Sequence, residues 1–303
     1  MQLPCDPLTS FRTSGDLHEA GLTRRQITAA VSSGSLVRVR GNVYVDRTVA
    51  PPILAAARAG GRLHCVSALA IANVFVKVRP VTHAHFPRNG EVRAASHDVV
   101  RHWGDLLRTP HPRSLVVEPI DAVRQAILCQ EPRAAIATLD SALHLGFIRQ
   151  SELDELFGAL PERMRRLHPH IDHRAESGTE TLVRLMARAL GAHVDIQVVV
   201  MGVGRVDMIV DGWLVIECDS REYHEGWKAQ LEDRRRDLAL AALGYTTIRP
   251  AAEDILFRPE VVVAAIAGLL RAGRPGGDTR ARKSGRKTAH AERGTRTFGP
   301  DEA

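Results

Sequence analysis

Cysteine is scarce and scattered, with four in 303 residues, Cys5, Cys65, Cys129 and Cys218, and no CxxC pair among them. That spacing indicates neither a zinc knuckle nor a secreted disulfide framework, and it predicts reduced thiols, mostly buried. No apolar run approaches the roughly 20 residues that a bilayer span needs. The N-terminal stretch lacks the basic start, apolar segment and cleavage site of a secretion signal. The expectation is a cytoplasmic protein without a membrane partner. No internal repeat is present.

A large excess of one charge is also missing from most of the chain. The net charge is +6, but the stretch from Arg271 to Ala303 carries nine Lys and Arg against four Asp and Glu, which leaves the remainder almost neutral. Overall charge is therefore weak evidence for nucleic acid. A hydrophobic content of 44% over this length allows a full core and more than one compact unit.

The first pattern present is Ser14 to Asp46. A short helix stops at Gly21, and Thr23 with Gln26 forms a capping-box signature that opens a second. Ile27, Ala30 and Val31 give that helix an apolar face and turn Arg24, Arg25 and Thr28 to solvent. The period then changes to two, with Val37 and Val39 opposite Arg38 and Arg40, and a turn at Gly41-Asn42 leads into Val43-Tyr44-Val45. Two helices and a hairpin make a winged helix-turn-helix. Arg24, Arg25, Thr28, Arg38 and Arg40 are its candidate DNA contacts, and a protein-contact module is the alternative.

These breaks divide the chain into a winged helix over residues 1–50, a mostly helical region over 51–166, a polar linker over 167–178, an α/β unit over 179–272 and a basic tail over 273–303. The tail has too few apolar anchors to order itself. In the middle region short strands around a turn would place His83 and His85 on one face, followed by His97 and His102. A metal site there lacks a carboxylate at ligand spacing, and ordinary strand histidines are the alternative.

The α/β unit reads as helix, three-stranded meander, helix, strand, helix. Period two places Glu217 and Asp219 on one strand face, opposite Leu214, Ile216 and Cys218. Asp207 joins them only if the turn shifts register. A two-residue Asp-Gly turn pairs Asp207 with Ile216, whereas a three-residue Val-Asp-Gly loop with Gly212 left-handed pairs it with Val215. Clustered acids are costly, and a hard cation held by Asp207, Glu217 and Asp219 relieves the cost. Mg²⁺ or Mn²⁺ is the expected cofactor, suited to phosphodiester hydrolysis. His224 is a candidate acid or base, or a loop histidine with a local hydrogen bond. Glu180 lies three residues after Ser177, which also fits a capping box.

The segments RVDMIV, LVIECD and DRRRDLALAALGYTTIR resemble the Vsr-like branch of the PD-(D/E)XK nucleases. The resemblance implies a restriction-endonuclease-like α/β/α domain in which Glu180 is the first-helix acid and Asp207 and Glu217 the sheet acids. It places Asp233 and Arg236 on the helix motif and Arg249 on the last strand. Asp219 stands where the wider superfamily has Lys, Ser220 where Gly is frequent, and His224 is displaced along the chain. The front unit resembles the winged helix of AbiEi-type antitoxins, which implies DNA binding, autoregulation and a cognate toxin. The two expectations are a DNA-binding, metal-dependent endonuclease, and a non-catalytic regulator with a degenerate nuclease domain.

Overall fold

The structure is a computed structural model that describes residues 9–78, 81–88, 98–218 and 227–274. It is mixed α/β, with helices packed on mixed and antiparallel sheets.

Helix α1 (Ser14–Glu19) begins at a Thr13–Asp16 capping box, and α2 (Arg24–Ser32) begins at the Thr23–Gln26 box that the sequence predicts. Strands β1 (Leu36–Arg40) and β2 (Val43–Asp46) form an antiparallel hairpin whose register shifts between Arg38 and Arg40. Leu17, Ile27 and Tyr44 close a small core under the two helices. The hairpin is also docked on the middle region, since Val45 and Val49 belong to the large core of that region and Val37 and Val39 pack against it.

The middle region runs through α3 (Pro51–Ala59), β3 (Arg62–Leu63), α4 (Cys65–Ile71), β4 (Thr82–Phe86), β5 (Val99–Trp103), α5 (Pro119–Cys129), α6 (Pro132–His144), α7 (Leu153–Gly158) and α8 (Glu162–Arg165). Proline occupies the first turn of α3, α5 and α6, where a missing N–H costs nothing. The strands are not a simple hairpin around a turn. β3 pairs antiparallel with β4, but β4 and β5 run parallel.

The polar segment after α8 is held in place rather than free. The Asp172 amide donates to Asp140 on α6, and Ala175 is buried. Helix α9 (Gly178–Ala189) starts directly against Phe75, since a Cβ built on Gly178 falls 2.1 Å from the Phe75 ring.

Next come β6 (Val194–Val200), β7 (Gly204–Val210), β8 (Leu214–Ile216), α10 (Trp227–Ala242), β9 (Thr246–Ile248), α11 (Ala252–Phe257) and α12 (Pro259–Ala272). The sheet order is β6-β7-β8-β9, an antiparallel meander with β9 added parallel to β8. Met208, Val210, Leu214 and Ile216 pack with α9, α11 and α12, while Ile209 and Val215 pack with Leu240 of α10. The sheet is thus covered on both faces.

Candidate active site

The turn that decides the register is a three-residue loop of Asp211, Gly212 and Trp213 between paired Val210 and Leu214. Asp211 has φ 48° and Gly212 φ 75°, and the Trp213 amide donates to the Val210 carbonyl at 3.2 Å, the geometry of a type I′ turn. Gly212 is left-handed as expected, but the loop lies one residue later than Val-Asp-Gly. Asp207 is therefore not opposite Val215. With Met208 paired to Ile216, the register continues to Asp207 beside Glu217. A shift of two preserves the face, so both acids lie on the α10 side of the sheet.

Around them is a polar cleft of about 420 Å³ lined by Glu176, Ser177, Glu180, Arg205, Asp207, Glu217, Cys218, Asp233, Arg236 and Arg249. Asp207 Oδ2 accepts the Cys218 amide at 2.8 Å. Glu217 is buried, with Oε1 2.7 Å from Arg236 Nη2 and Oε2 2.5 Å from Arg249 Nη2. Arg249 also reaches Asp237 at 2.9 Å and Asp233 at 3.9 Å. Arg236 donates to the Arg205 carbonyl, and Arg205 pairs with Glu176 at 2.7 Å.

Glu180 does not close the reciprocal box on Ser177 that its spacing allows. Ser177 Oγ does accept the Glu180 amide at 3.2 Å, but the Glu180 carboxylate accepts from the Glu176 amide at 3.0 Å and from Gln197 Nε2 at 2.8 Å. Gln197 was not found by sequence reasoning and carries no sequence signal. It sits mid-strand at φ 54°, flanked by the pairs Ile196–Met208 and Val198–Val206 and so across from Asp207. That conformation costs a non-glycine residue on the order of 1–3 kcal/mol and tends to be retained at working sites.

Burial raises the pKa of Glu180, Asp207 and Glu217 above the ordinary carboxylate range. The Glu176 amide opposes the rise at Glu180, and the Cys218 amide opposes it at Asp207. At Glu217 the charges of Arg249 and then Arg236 oppose it, while Asp207 adds to it. The cleft thus collects carboxylates whose ionisation it disfavours, a condition that a cation relieves.

Of the sequence-predicted residues, Glu180, Asp207, Glu217, Asp233 and Arg236 come together here with Arg249. Asp219 and His224 lie outside the described residues, as does His97. In the front unit Arg24, Arg25, Thr28 and Arg38 are exposed and Arg40 is half-buried. The Thr28 hydroxyl donates to the Arg24 carbonyl, and Arg38 Nε donates to the Gly41 carbonyl at 2.7 Å with its guanidinium 5.9 Å from the Tyr44 ring centre. Arg38 is in part committed to its own hairpin.

The donor chemistry of Asp207 and Glu217 suits Mg²⁺ or Mn²⁺, although Glu217 already faces two guanidinium groups. Among the described residues, the group with three or more metal-competent donors close together lies elsewhere. Cys65, His83, His102 and Cys129 place one ligand atom each within 4.8 Å of one another. A thiol and imidazole set selects a softer ion than Mg²⁺. The strand histidines do share a face, and the partners that the sequence left unseen are thiols rather than carboxylates. Cys65 is held at φ 56°, which costs a non-glycine residue about 1–2 kcal/mol.

Fold and site together define a mixed α/β protein with an acid- and arginine-lined cleft. No protein-family model matches the chain. It is similar to two uncharacterized proteins of Mycobacterium tuberculosis, from strains CDC 1551 / Oshkosh and ATCC 25618 / H37Rv, each 29% identical over 275 residues that cover 84% of this chain and 100% of the relative. Among the described residues, no helix is long and apolar enough to cross a membrane.

Proposed function

We propose that the protein is a cytoplasmic DNA endonuclease of repair or defence type, dependent on Mg²⁺ or Mn²⁺, whose winged helix delivers it to duplex DNA. The observation that carries this reading is that Asp207 on β7 and Glu217, directly after β8, line one cleft with Glu180, where burial disfavours their ionisation. The helix, meander, helix, strand, helix order with both sheet faces covered supports a restriction-endonuclease-like α/β/α architecture of the Vsr-like kind.

Mg²⁺ or Mn²⁺, when bound, would supply polarisation of a phosphoryl oxygen and a lowered pKa for an attacking water. Asp207 and Glu217, with Asp219, are the residues to hold it. Arg236 and Arg249 pair with the two oxygens of the Glu217 carboxylate and favour its charged form against the effect of burial. Arg205, half exposed at the lip, offers a guanidinium to the DNA backbone. Glu180 is fixed by Gln197 and the Glu176 amide facing the same cleft, and His224 is the proposed proton donor or acceptor.

Conversion of supercoiled plasmid to open circles with Mn²⁺ tests the assignment. The parent nicks, and Asp207→Ala or Glu217→Ala lowers the rate by about 10³-fold or more, the scale expected when metal polarisation is lost. Variants that cut like the parent remove the assigned site.

One observation favours a second reading, a non-catalytic DNA-binding regulator of antitoxin type with a cognate toxin as partner. Two arginines already face the two oxygens of Glu217, so its charge is met in part without an ion. In that case promoter binding is lost when Arg24, Arg25 and Arg38 are replaced, and Glu217→Ala leaves it unchanged.

A further inference from the structure

We propose that Cys65, His83, His102 and Cys129 form a structural zinc site that staples the middle region together, independent of the cleft chemistry. The four residues come from four elements. Cys65 opens α4, Cys129 closes α5, and His83 and His102 stand on the parallel strands β4 and β5. His83 pairs with Val100, and His102 follows two residues on, so both imidazoles leave the same sheet face.

The four donor atoms are close enough together to share one ion. Zn–S bonds of about 2.3 Å and Zn–N bonds of about 2.0–2.1 Å set edges of roughly 3.3–3.8 Å. His83 Nδ1 is 2.9 Å from His102 Nε2, and all four donor atoms lie within 4.8 Å of each other. The two ring nitrogens need to part by about 0.4 Å, and no other edge needs to close by more than about 1.5 Å, to reach these lengths. Two thiolates and two imidazoles are the donor set that Zn²⁺ takes, and four protein ligands leave no open position, which marks a structural site rather than a catalytic one.

The surroundings are those of a metal ligand shell. Gln125 Nε2 donates to Cys129 Sγ at 3.2 Å, an outer-shell hydrogen bond to the sulfur. Cys65 is buried and keeps a left-handed backbone where a right-handed one would cost less, and Cys129 is exposed, which gives an ion a way in. Without an ion the cluster is a hydrogen-bonded pair of imidazoles beside a pair of thiols, and a Cys65–Cys129 disulfide is the competing chemistry.

The test uses the untagged full chain, purified without chelator, with metal content measured by mass spectrometry. One zinc per chain is expected, and Cys129→Ser, at the exposed end of a helix, abolishes stoichiometric zinc while Glu217→Ala retains it. Gln125→Ala weakens zinc affinity about 10- to 100-fold in a competition with a chromophoric chelator. Cobalt added to the zinc-stripped chain gives tetrahedral d–d bands with thiolate charge transfer. That spectrum decides the matter on the parent protein even if a variant fails to fold. Less than stoichiometric zinc with no thiolate–cobalt band, or a Cys65–Cys129 disulfide in the mass spectrum of the freshly purified chain, overturns the proposal. Either result leaves the nuclease assignment untouched, because that assignment is read from the Asp207 and Glu217 variants.

Discussion

Arg184 on α9 lies with Nη2 2.7 Å from Asp140 Oδ2 on α6, and neither side chain is more than 1% exposed. Hydrogen bonds hold both carboxylate oxygens of Asp140 and both terminal nitrogens of Arg184, while the buried Arg184 Nε has no partner among the described residues. Asp140 also accepts from the Thr181 hydroxyl and the Asp172 amide, and Arg184 Nη1 donates to the His170 carbonyl. Removing one partner leaves an uncompensated buried charge, so Arg184→Ala or Asp140→Ala should cost about 3–5 kcal/mol in urea unfolding. The double replacement Asp140→Ala with Arg184→Met should cost less than the sum of the two single changes. A single variant with wild-type stability would show that the two units do not depend on this pair.

A second point of attachment is steric. The Cβ of an alanine at 178 would sit 2.1 Å from Phe75 Cγ, so the start of α9 and the chain after α4 can approach only with glycine there. Gly178→Ala should destabilise by about 1–3 kcal/mol, the usual cost of overpacking. In a Phe75→Ala background the added cost should shrink towards zero. A double-mutant cycle in urea measures it, and equal costs in both backgrounds would mean that the clash is relieved elsewhere.

Parts of this arrangement were legible in the sequence because they are local. The Thr23–Gln26 cap, the left-handed Gly212 and the period-two faces of β7 and β8 follow from neighbours a few residues apart. The loop was misplaced by one residue because Asp211, like Gly212, tolerates positive φ, and the local pattern does not say which residue leads the turn. The shared core of hairpin and middle region, the parallel pairing of β4 with β5 and the cluster of Cys65, His83, His102 and Cys129 have no local signature. They depend on elements far apart in the chain. The strained Gln197 is likewise set by its neighbours across the sheet.

The proposed DNA-binding role of α1, α2 and the β1–β2 hairpin yields a prediction that separates their arginines. Each phosphate neutralised by a cation contributes about 0.9 to the slope of log affinity against log salt on B-DNA. Arg24 and Arg25 are exposed at the start of α2, so the double alanine variant should flatten that slope by roughly 2. Arg38 donates to the Gly41 carbonyl and stacks near Tyr44, so Arg38→Ala should change the slope less. Fluorescence anisotropy on a duplex across a salt series measures both. An unchanged slope in the Arg24, Arg25 variant would take α2 off the DNA.

The arginines around Glu217 predict a direction for the pH dependence of nicking. Burial raises the Glu217 pKa, and the positive charge of Arg249 is the largest influence that lowers it, followed by Arg236. Arg249→Gln removes that charge while leaving burial in place, so the Glu217 carboxyl should hold its proton to higher pH. In the proposed nuclease the ionised form is the oxygen donor, so the acid limb of the nicking profile should move to higher pH. The plateau above it should remain closer to the parent than in Glu217→Ala. Arg236→Gln should act in the same direction but less, following the order of the two charges. Plasmid nicking at saturating Mn²⁺ over a pH series tests this. An acid limb that stays in place, or moves to lower pH, would show that Glu217 is not the group whose ionisation limits the reaction.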